Sequence, residues 1–181
     1  MGIKMNLAIT LFAIFLFTGG TLAQENKKTD KWETFKFLIG SWEGTGDGVP
    51  GKSTVEREYS FILNGKYIKS VSKSVYEPQE KNPKGEIHEE TGMISFDSKR
   101  KKYIFRQFHI EGFVNQYTSE SISDDGKTIV FVTESIENIP EGWRARETYK
   151  ILNDNEFQET FELSEPGKDF EIYSQSNLKR K

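Results

Sequence analysis

Two histidines are the residues best suited to acid–base chemistry or metal binding in this chain of 181 residues, which contains no cysteine. His88 opens the segment His88-Glu89-Glu90-Thr91-Gly92, which begins like the zinc motif H-E-x-x-H. That motif places two histidines on one helix face, but Gly92 stands at the second position and the surrounding residues alternate as in a strand. With two histidines and no thiolate, the sequence predicts no metal site.

Other patterns associated with catalysis or cofactor binding lack their structural context. No serine lies in a G-x-S-x-G strand-to-helix elbow. The segment Gly46-Asp47-Gly48-Val49-Pro50-Gly51 matches G-x-G-x-x-G, but the phosphate-binding form opens a helix, whereas a strand pattern follows here. We interpret it as a glycine-rich loop between strands. The sequence therefore predicts no catalytic residues, and it favours a binding protein over an enzyme.

The elements that position these side chains are strands. From residue 53 onward, apolar and polar residues alternate in runs separated by turn residues, which is the pattern of half-buried strands. In the run 53–63, Val55, Arg57 and Tyr59 share one face, and Asn64-Gly65 follows as a hairpin turn. The chain therefore reads as a meander of strands rather than as alternating strands and helices.

About nine or ten such runs and one short helix predict an all-β fold. The helix is expected at 31–39, where Trp32, Phe35 and Leu38 recur at steps of three. A meander of this length has to cover its edges, and closing into a barrel does so. We predict a closed up-and-down antiparallel β-barrel of about ten strands with one short N-terminal helix. A two-sheet sandwich is the alternative, and periodicity alone does not decide between a cavity and a packed interior.

The first residues have the layout of a secretory signal peptide. Lys4 precedes an apolar run at 7–17, and the small-residue pattern Thr21-Leu22-Ala23 follows. The apolar run is shorter than the roughly 20 residues of a membrane-spanning helix, although an uncleaved anchor helix is the alternative. We expect a signal peptide at 1–23 and a single domain at 24–181. Export to the periplasm or the extracellular space follows, with no integral membrane segment after cleavage.

The charge balance of the chain argues against nucleic acid as a partner. The formal net charge is -3 and the pI is about 5.6. A surface that binds phosphate groups ordinarily carries an excess of basic residues.

The segment Gly40-Ser41-Trp42 is similar to the opening of the first strand in calycins, the superfamily of lipocalins and fatty-acid-binding proteins. Lipocalins pair this tryptophan with a basic residue beyond the last strand, and the cation packs over the indole. The resemblance implies that Gly40, Trp42 and Arg180, or Lys179 in its place, close the barrel.

Two further segments resemble the nitrobindins, which are haem-binding barrels of ten strands, and related secreted barrels of unknown function. These segments are Phe37-Leu38-Ile39-Gly40-Ser41-Trp42-Glu43-Gly44 and Ile87-His88-Glu89-Glu90-Thr91-Gly92, whose histidine the resemblance places at the pocket. Nitrobindins hold iron through a histidine of the final strand, but this chain has Tyr173 at the matching position and no histidine after His109. Strand alternation also places Tyr173 on the face opposite Ile172 and Ser174.

These observations favour an exported, non-catalytic barrel that binds a small apolar molecule, with His88, His109 and Tyr173 as candidate ligand-binding residues. Haem is the less favoured cofactor because the histidine of the final strand is missing. Two alternatives stay open. One is a nitrobindin-like haem protein or enzyme with atypical ligation through His88 and Tyr173, and the other is an envelope scaffold protein with a solid core.

Overall fold

A computed structural model describes residues 30–181, which form one short helix and ten strands. The signal peptide expected at 1–23 lies outside the described residues. The helix is a 3-10 helix at Glu33–Leu38. The strands are β1 (Gly40–Gly48), β2 (Ser53–Ile62), β3 (Tyr67–Tyr76), β4 (Glu86–Asp97), β5 (Lys102–His109), β6 (Val114–Ile122), β7 (Thr128–Glu137), β8 (Arg144–Asn153), β9 (Glu156–Ser164) and β10 (Glu171–Arg180).

The ten strands form one closed barrel in which every pair of neighbours is antiparallel. Each strand pairs with its neighbours in sequence, and β1 also pairs with β10. Closure leaves every strand with partners on both sides and therefore removes free sheet edges. The predicted fold class is confirmed, and the two-sheet sandwich is excluded. Within residues 30–181, no helix has the length and apolar character needed to cross a membrane.

The seam between β1 and β10 explains the glycines of the first strand. A Cβ atom on Gly44 would lie 1.9 Å from the carbonyl oxygen of Asn177 on β10, so only glycine allows this approach. Gly46 and Gly48 belong to the same strand, so the glycine-rich loop predicted at 46–51 is wrong for its first half. The following element is β2 and not a helix, and the segment therefore lacks the context of a dinucleotide-binding loop.

The short helix covers one end of the barrel with an aromatic face. It is a 3-10 helix of six residues, shorter than the predicted 31–39. In a 3-10 helix, side chains three residues apart lie above one another, which explains the spacing of Trp32, Phe35 and Leu38. All three are buried, and the ring of Phe35 lies 4.5 Å from that of Tyr103 at the start of β5. We call this the closed end of the barrel.

Gly40, Trp42 and Arg180 meet at the closed end. Trp42 is fully buried, and its indole N–H donates a 2.7 Å hydrogen bond to the carbonyl of Leu38. The guanidinium of Arg180 lies 4.1 Å from the centre of the Trp42 ring, a favourable cation–π contact. Gly40 has a φ of +124° and lies close to the same guanidinium. Lys179, the alternative to Arg180, instead pairs with an exposed carboxylate.

Candidate functional site

The end of the barrel opposite the helix contains a cavity of about 510 Å³. This volume is within the range of small-molecule sites. The inner faces of β3 and β10 carry small side chains at this end of the barrel. They leave open the interior space that aromatic residues occupy at the closed end. The serines that line the cavity are Ser72, Ser74, Ser174 and Ser176. Its apolar wall consists of Phe113, Ile136, Ile139, Pro140, Trp143, Phe161 and Leu163.

His88 and His109 lie side by side in this cavity. Strand register explains this, because Glu90 of β4 is directly opposite His109 of β5, and His88 lies on the same face two residues earlier. Nε2 of His88 is 3.4 Å from Nδ1 of His109. The segment at His88 lacks the second histidine of the H-E-x-x-H motif. The neighbouring strand β5 places His109 beside His88 instead.

Carboxylates surround the two imidazoles. Oε2 of Glu90 lies 3.2 Å from Nδ1 of His109 and 3.7 Å from Nε2 of His88. Nδ1 of His88 makes a 2.7 Å contact with Glu111, and Gln107 donates a hydrogen bond to the other oxygen of Glu90. One donor atom from each of His88, His109 and Glu111 lies within 4.8 Å of the other two, a spacing that could hold a metal ion.

These contacts give the two histidines different protonation behaviour. The hydrogen bond to Glu90, reinforced by Glu111 against the cost of burial, raises the pKa of His88 to about 9. Burial lowers the pKa of His109, and the charge of His88 adds to this effect. Burial also opposes ionisation of Glu90, but His88, His109 and Arg57 outweigh it and lower the pKa of Glu90 to about 2. Near neutral pH the cluster therefore pairs one imidazolium with one neutral imidazole.

His109 is held in place by two further contacts. Its ring stacks on Phe113 with centroids 4.0 Å apart. Its Nε2 lies 3.2 Å from the side-chain amide of Asn115, which also donates to the hydroxyl of Tyr117. The side chain of His109 is only 5% exposed, whereas that of His88 is 26% exposed. The cluster thus extends from the barrel interior to the cavity mouth.

A buried ion pair forms the floor of the cavity. Two nitrogens of Arg57 donate to the same oxygen of Glu159, at 2.7 and 3.0 Å. Arg57 also donates to the backbone carbonyls of Glu56 and Lys73. Both partners are about 8% exposed, and although burial opposes the charge on Arg57, Glu159 and Glu90 outweigh it and raise its pKa. Arg57 is therefore a permanent cation whose charge is already neutralised.

Glu147 lines the same floor without a partner. Its Oε2 is buried and accepts no hydrogen bond in the described structure. Burial, together with the negative charges of Glu159 and Glu90, raises the pKa of Glu147 well above its ordinary value. The raised pKa favours the protonated form of Glu147, which has one O–H donor and keeps an oxygen that can accept a hydrogen bond from a molecule in the cavity.

Tyr173 reaches the cavity because of an irregularity in β10. The pairing of β10 with β9 shifts register between Ile172 and Ser174, and both Tyr173 and Ser174 line the cavity. Ile172 is 59% exposed. The prediction from strict alternation, which placed Ile172 with Ser174 and opposite Tyr173, is therefore wrong, since a bulge puts two successive residues on one side. The Tyr173 ring packs edge-on against Phe161, and burial together with Glu86 and Glu111 raises its pKa.

A second concave region of about 600 Å³ lies on the outer surface of the barrel. The exposed side chains of Val71, Phe108 and Ile110 contribute to it. It is an open groove across β1 to β5 that also touches Arg57, Glu90 and His109. Of these two regions, only the interior cavity brings both histidines together with the unpartnered carboxyl oxygen of Glu147. The interior cavity is therefore the candidate functional site.

The structure brings His88, His109 and Tyr173 into one cavity and adds residues that the motif search did not identify. The most important additions are Arg57, Glu147 and Glu159, each of which occupies an inward position on a strand whose other inward residues are largely apolar or aromatic. A charged residue at an apolar position of an alternating strand is the sequence signal that identifies them. Strand alternation predicted the face of Arg57, whereas the inward positions of the two glutamates were not predicted.

Residues 31–180 match the family model of the THAP4-like, heme-binding beta-barrel domain. The match covers nearly all of the described chain and confirms the resemblance to nitrobindin-like barrels. No protein with curated function matches the chain significantly.

Solved structures are similar to the chain in fold. The crystal structure of Rv2717c from M. tuberculosis has a TM-score of 0.66 and 17% sequence identity, covering 83% of this chain and 97% of that one. At that identity the likeness concerns the fold alone. A protein of unknown function from the DUF3598 family of Nostoc punctiforme has 9% identity over 84% of this chain and 99% of its own, with a TM-score of only 0.29.

Proposed function

The chain belongs to the THAP4-like, heme-binding beta-barrel domain family, and from this family and the geometry of the cavity we propose that it binds one small molecule inside the barrel. The observation that carries the proposal is the cavity of about 510 Å³, in which an apolar wall faces the buried, unpartnered carboxyl group of Glu147. A buried polar atom without a partner costs free energy unless a ligand or water satisfies it.

The charges of the cavity define the class of ligand. Its lining contains five glutamates, Glu86, Glu90, Glu111, Glu147 and Glu159, and Arg57 is the only arginine or lysine in that lining within residues 30–181. Because Glu159 already neutralises Arg57, and Glu90 and Glu111 pair with the imidazolium of His88, an anionic ligand has no free cation to pair with. We propose an apolar molecule that is uncharged or basic and carries a hydrogen-bond donor. Its apolar part lies on the wall, and its polar group faces the floor.

The residues of this cavity do not fit haem held in the way that the nitrobindin resemblance implies. The pKa of Tyr173 is raised by burial and by Glu86 and Glu111, so the phenolate that ligates ferric haem is disfavoured. The propionates of haem also lack a free cation in the described lining. We therefore propose no step through haem.

The proposed role is binding without catalysis. The imidazoles and carboxylates that could move a proton are held against one another through Glu90. We also propose that the protein is exported after removal of residues 1–23, which is supported by the small-residue pattern before Gln24. The intact mass of the exported protein tests this, because a mass that still includes the first 23 residues contradicts it.

A fluorescent probe tests the ligand site directly. N-phenyl-1-naphthylamine is an uncharged aromatic amine, and we expect one molecule per barrel with increased fluorescence. Leu163→Trp places an indole in the cavity and should abolish binding, whereas Ile172→Trp on the exposed face of the neighbouring strand should not. Equal binding by both variants would contradict the interior site.

Competition with two detergent-like molecules of equal chain length tests the charge preference. Dodecylamine should displace the probe at lower concentration than dodecanoic acid, because the cavity lining is rich in carboxyl groups. Stronger displacement by the fatty acid would contradict the proposed ligand class. Native mass spectrometry of the purified protein would then identify the molecule that co-purifies.

A further inference from the structure

The histidine–carboxylate cluster at the cavity mouth has the composition of a metal centre. It combines two imidazoles and a carboxylate, a donor set found in mononuclear zinc sites and in sites of other divalent transition metals. His88 and Glu90 come from β4 and His109 from β5, so the three residues are fixed by paired strands and not by a loop. Ligands that belong to rigid elements keep their spacing without a bound ion.

The separations within the cluster match those of ligands around one ion. Ligand atoms about 2.0–2.2 Å from a tetrahedral zinc ion lie roughly 3.4 Å from one another. The three relevant separations are 3.2 Å between Glu90 Oε2 and His109 Nδ1, 3.4 Å between the two imidazole nitrogens, and 3.7 Å between Glu90 Oε2 and His88 Nε2. The three atoms thus occupy three corners of a tetrahedron.

We propose that Nε2 of His88, Nδ1 of His109 and Oε2 of Glu90 bind one divalent transition-metal ion of the zinc class. Binding of the ion displaces the proton that His88 carries near neutral pH. The fourth position opens toward the cavity, which all three residues line. A water molecule or a polar group of a cavity ligand completes the coordination there. This site is separate from the proposed binding of an apolar molecule and does not depend on it.

The surroundings of the three ligands support this assignment. Histidines that bind metals usually give their other ring N–H to a carboxylate or amide, which orients the ring. Glu111 lies 2.7 Å from Nδ1 of His88, a hydrogen-bond distance shorter than the separation of two ligands on one ion. The structure places Nδ2 of Asn115 3.2 Å from Nε2 of His109 and leaves the amide oxygen of Asn115 without a partner among residues 30–181. Exchanging the amide nitrogen and oxygen, which are assigned from the hydrogen-bond network, would let that oxygen accept the ring N–H of His109. Gln107 holds the second oxygen of Glu90 and leaves Oε2 for the metal.

Titration calorimetry with zinc chloride tests the proposal on tag-free purified protein that has been treated with a chelator. We expect one ion per chain, and heating curves should show a higher Tm with zinc because the ion binds only the folded site. His88→Ala, His109→Ala and Glu90→Gln should each weaken binding by more than about 100-fold, and Glu111→Gln by about 10- to 100-fold. Glu89→Gln, between His88 and Glu90 but on the outer face of the same strand, is the matched control and should bind zinc like the wild type.

Cobalt supplies a readout that needs no variant. Four-coordinate Co²⁺ absorbs visible light strongly compared with the hydrated ion, so wild-type protein with one equivalent of Co²⁺ should show this band, and zinc should remove it. Absence of saturable zinc binding, or zinc binding that persists in His88→Ala and Glu90→Gln, would overturn the site. Because the fluorescent probe contains no metal, failure of this site leaves the result for the apolar ligand unchanged.

Discussion

The two ends of the barrel are built from the same strands but have opposite interiors. At the closed end, Trp42, Phe37 and Phe157 pack ring against ring, with the rings of Trp42 and Phe157 4.8 Å apart and nearly perpendicular. At the open end, serines on β3 and β10 leave a cavity, and the polar side chains that face it include five glutamates and both histidines. A single strand contributes to both ends of the barrel. In β3, Ile68 is buried in the core and Ser74 lines the cavity.

This difference shows that side-chain volume, and not strand topology, decides where the barrel is hollow. The backbone of a ten-stranded barrel encloses an interior space that side chains either fill or leave open. Large aromatic residues fill it to core density at one end, and residues with small side chains leave it open at the other. The Arg57–Glu159 pair and Glu147 lie at the boundary, where buried tyrosines of the core meet the cavity floor. Stability is expected to reside in the closed end and binding in the open end.

Two tryptophans provide the largest test of this division. Trp42→Ala removes a fully buried indole that Arg180 and Leu38 contact, and we expect it to lower the free energy of unfolding by about 3–5 kcal/mol. Trp143→Ala at the cavity wall should cost only about 1 kcal/mol. Urea unfolding followed by circular dichroism measures both. Similar losses for the two variants would show that the open end contributes equally to stability.

The buried ion pair at the boundary gives the next largest effect. Arg57→Met leaves Glu159 buried without its partner and should cost about 3 kcal/mol or more. Because the penalty comes from the uncompensated charge, Arg57→Met combined with Glu159→Leu should recover most of the loss. Arg146→Met breaks the ion pair with Glu162 on the outer face. Urea unfolding should show a much smaller loss of stability for this variant than for Arg57→Met. A double variant no more stable than the single one would contradict this explanation.

The protonated state of Glu147 predicts a pH-dependent difference. Its pKa is raised in the folded protein above the ordinary 4.5, so the folded state holds the proton more tightly than the unfolded state. This contribution to stability is complete below pH 4.5 and is lost as the pH rises toward the folded-state pKa. Glu147→Gln has no such loss, so its stability relative to wild type should rise by up to about 1.4 kcal/mol per pH unit above pH 4.5. A difference that stays constant from pH 4 to 7 would show that folding does not raise the pKa of Glu147.

The smallest expected effect concerns haem at the open end. Added haemin should produce no sharp Soret shift, and Tyr173→Phe should change the spectrum little, because the raised pKa of Tyr173 opposes phenolate ligation. Absorbance titrations of both proteins measure this. Tight one-to-one binding of haemin that disappears in Tyr173→Phe would establish tyrosine ligation. The open end would then be a haem-binding site, as the family description implies.

Much of the fold follows from the sequence through local rules. Alternation of side chains along a strand is fixed by backbone geometry, so runs such as β2 could be predicted with their turns and their buried face. The spacing of Trp32, Phe35 and Leu38 predicted the helix, although its 3-10 geometry and shorter extent were not predicted. Register shifts also occur between β6 and β7 and between β8 and β9, and the bulge in β10 breaks the predicted alternation at Tyr173.

The candidate site depended on tertiary structure because it joins residues that local patterns cannot relate. Arg57 and Glu159 are 102 positions apart in sequence, and His88 meets His109 only through the register of β4 with β5. Alternation determines which residues share a face, but the closure of the sheet determines which faces meet across the barrel. The sequence by itself therefore determined a barrel with Trp42 in its first strand. The tertiary structure alone decided that one end is packed and that the other is a cavity lined with acidic residues.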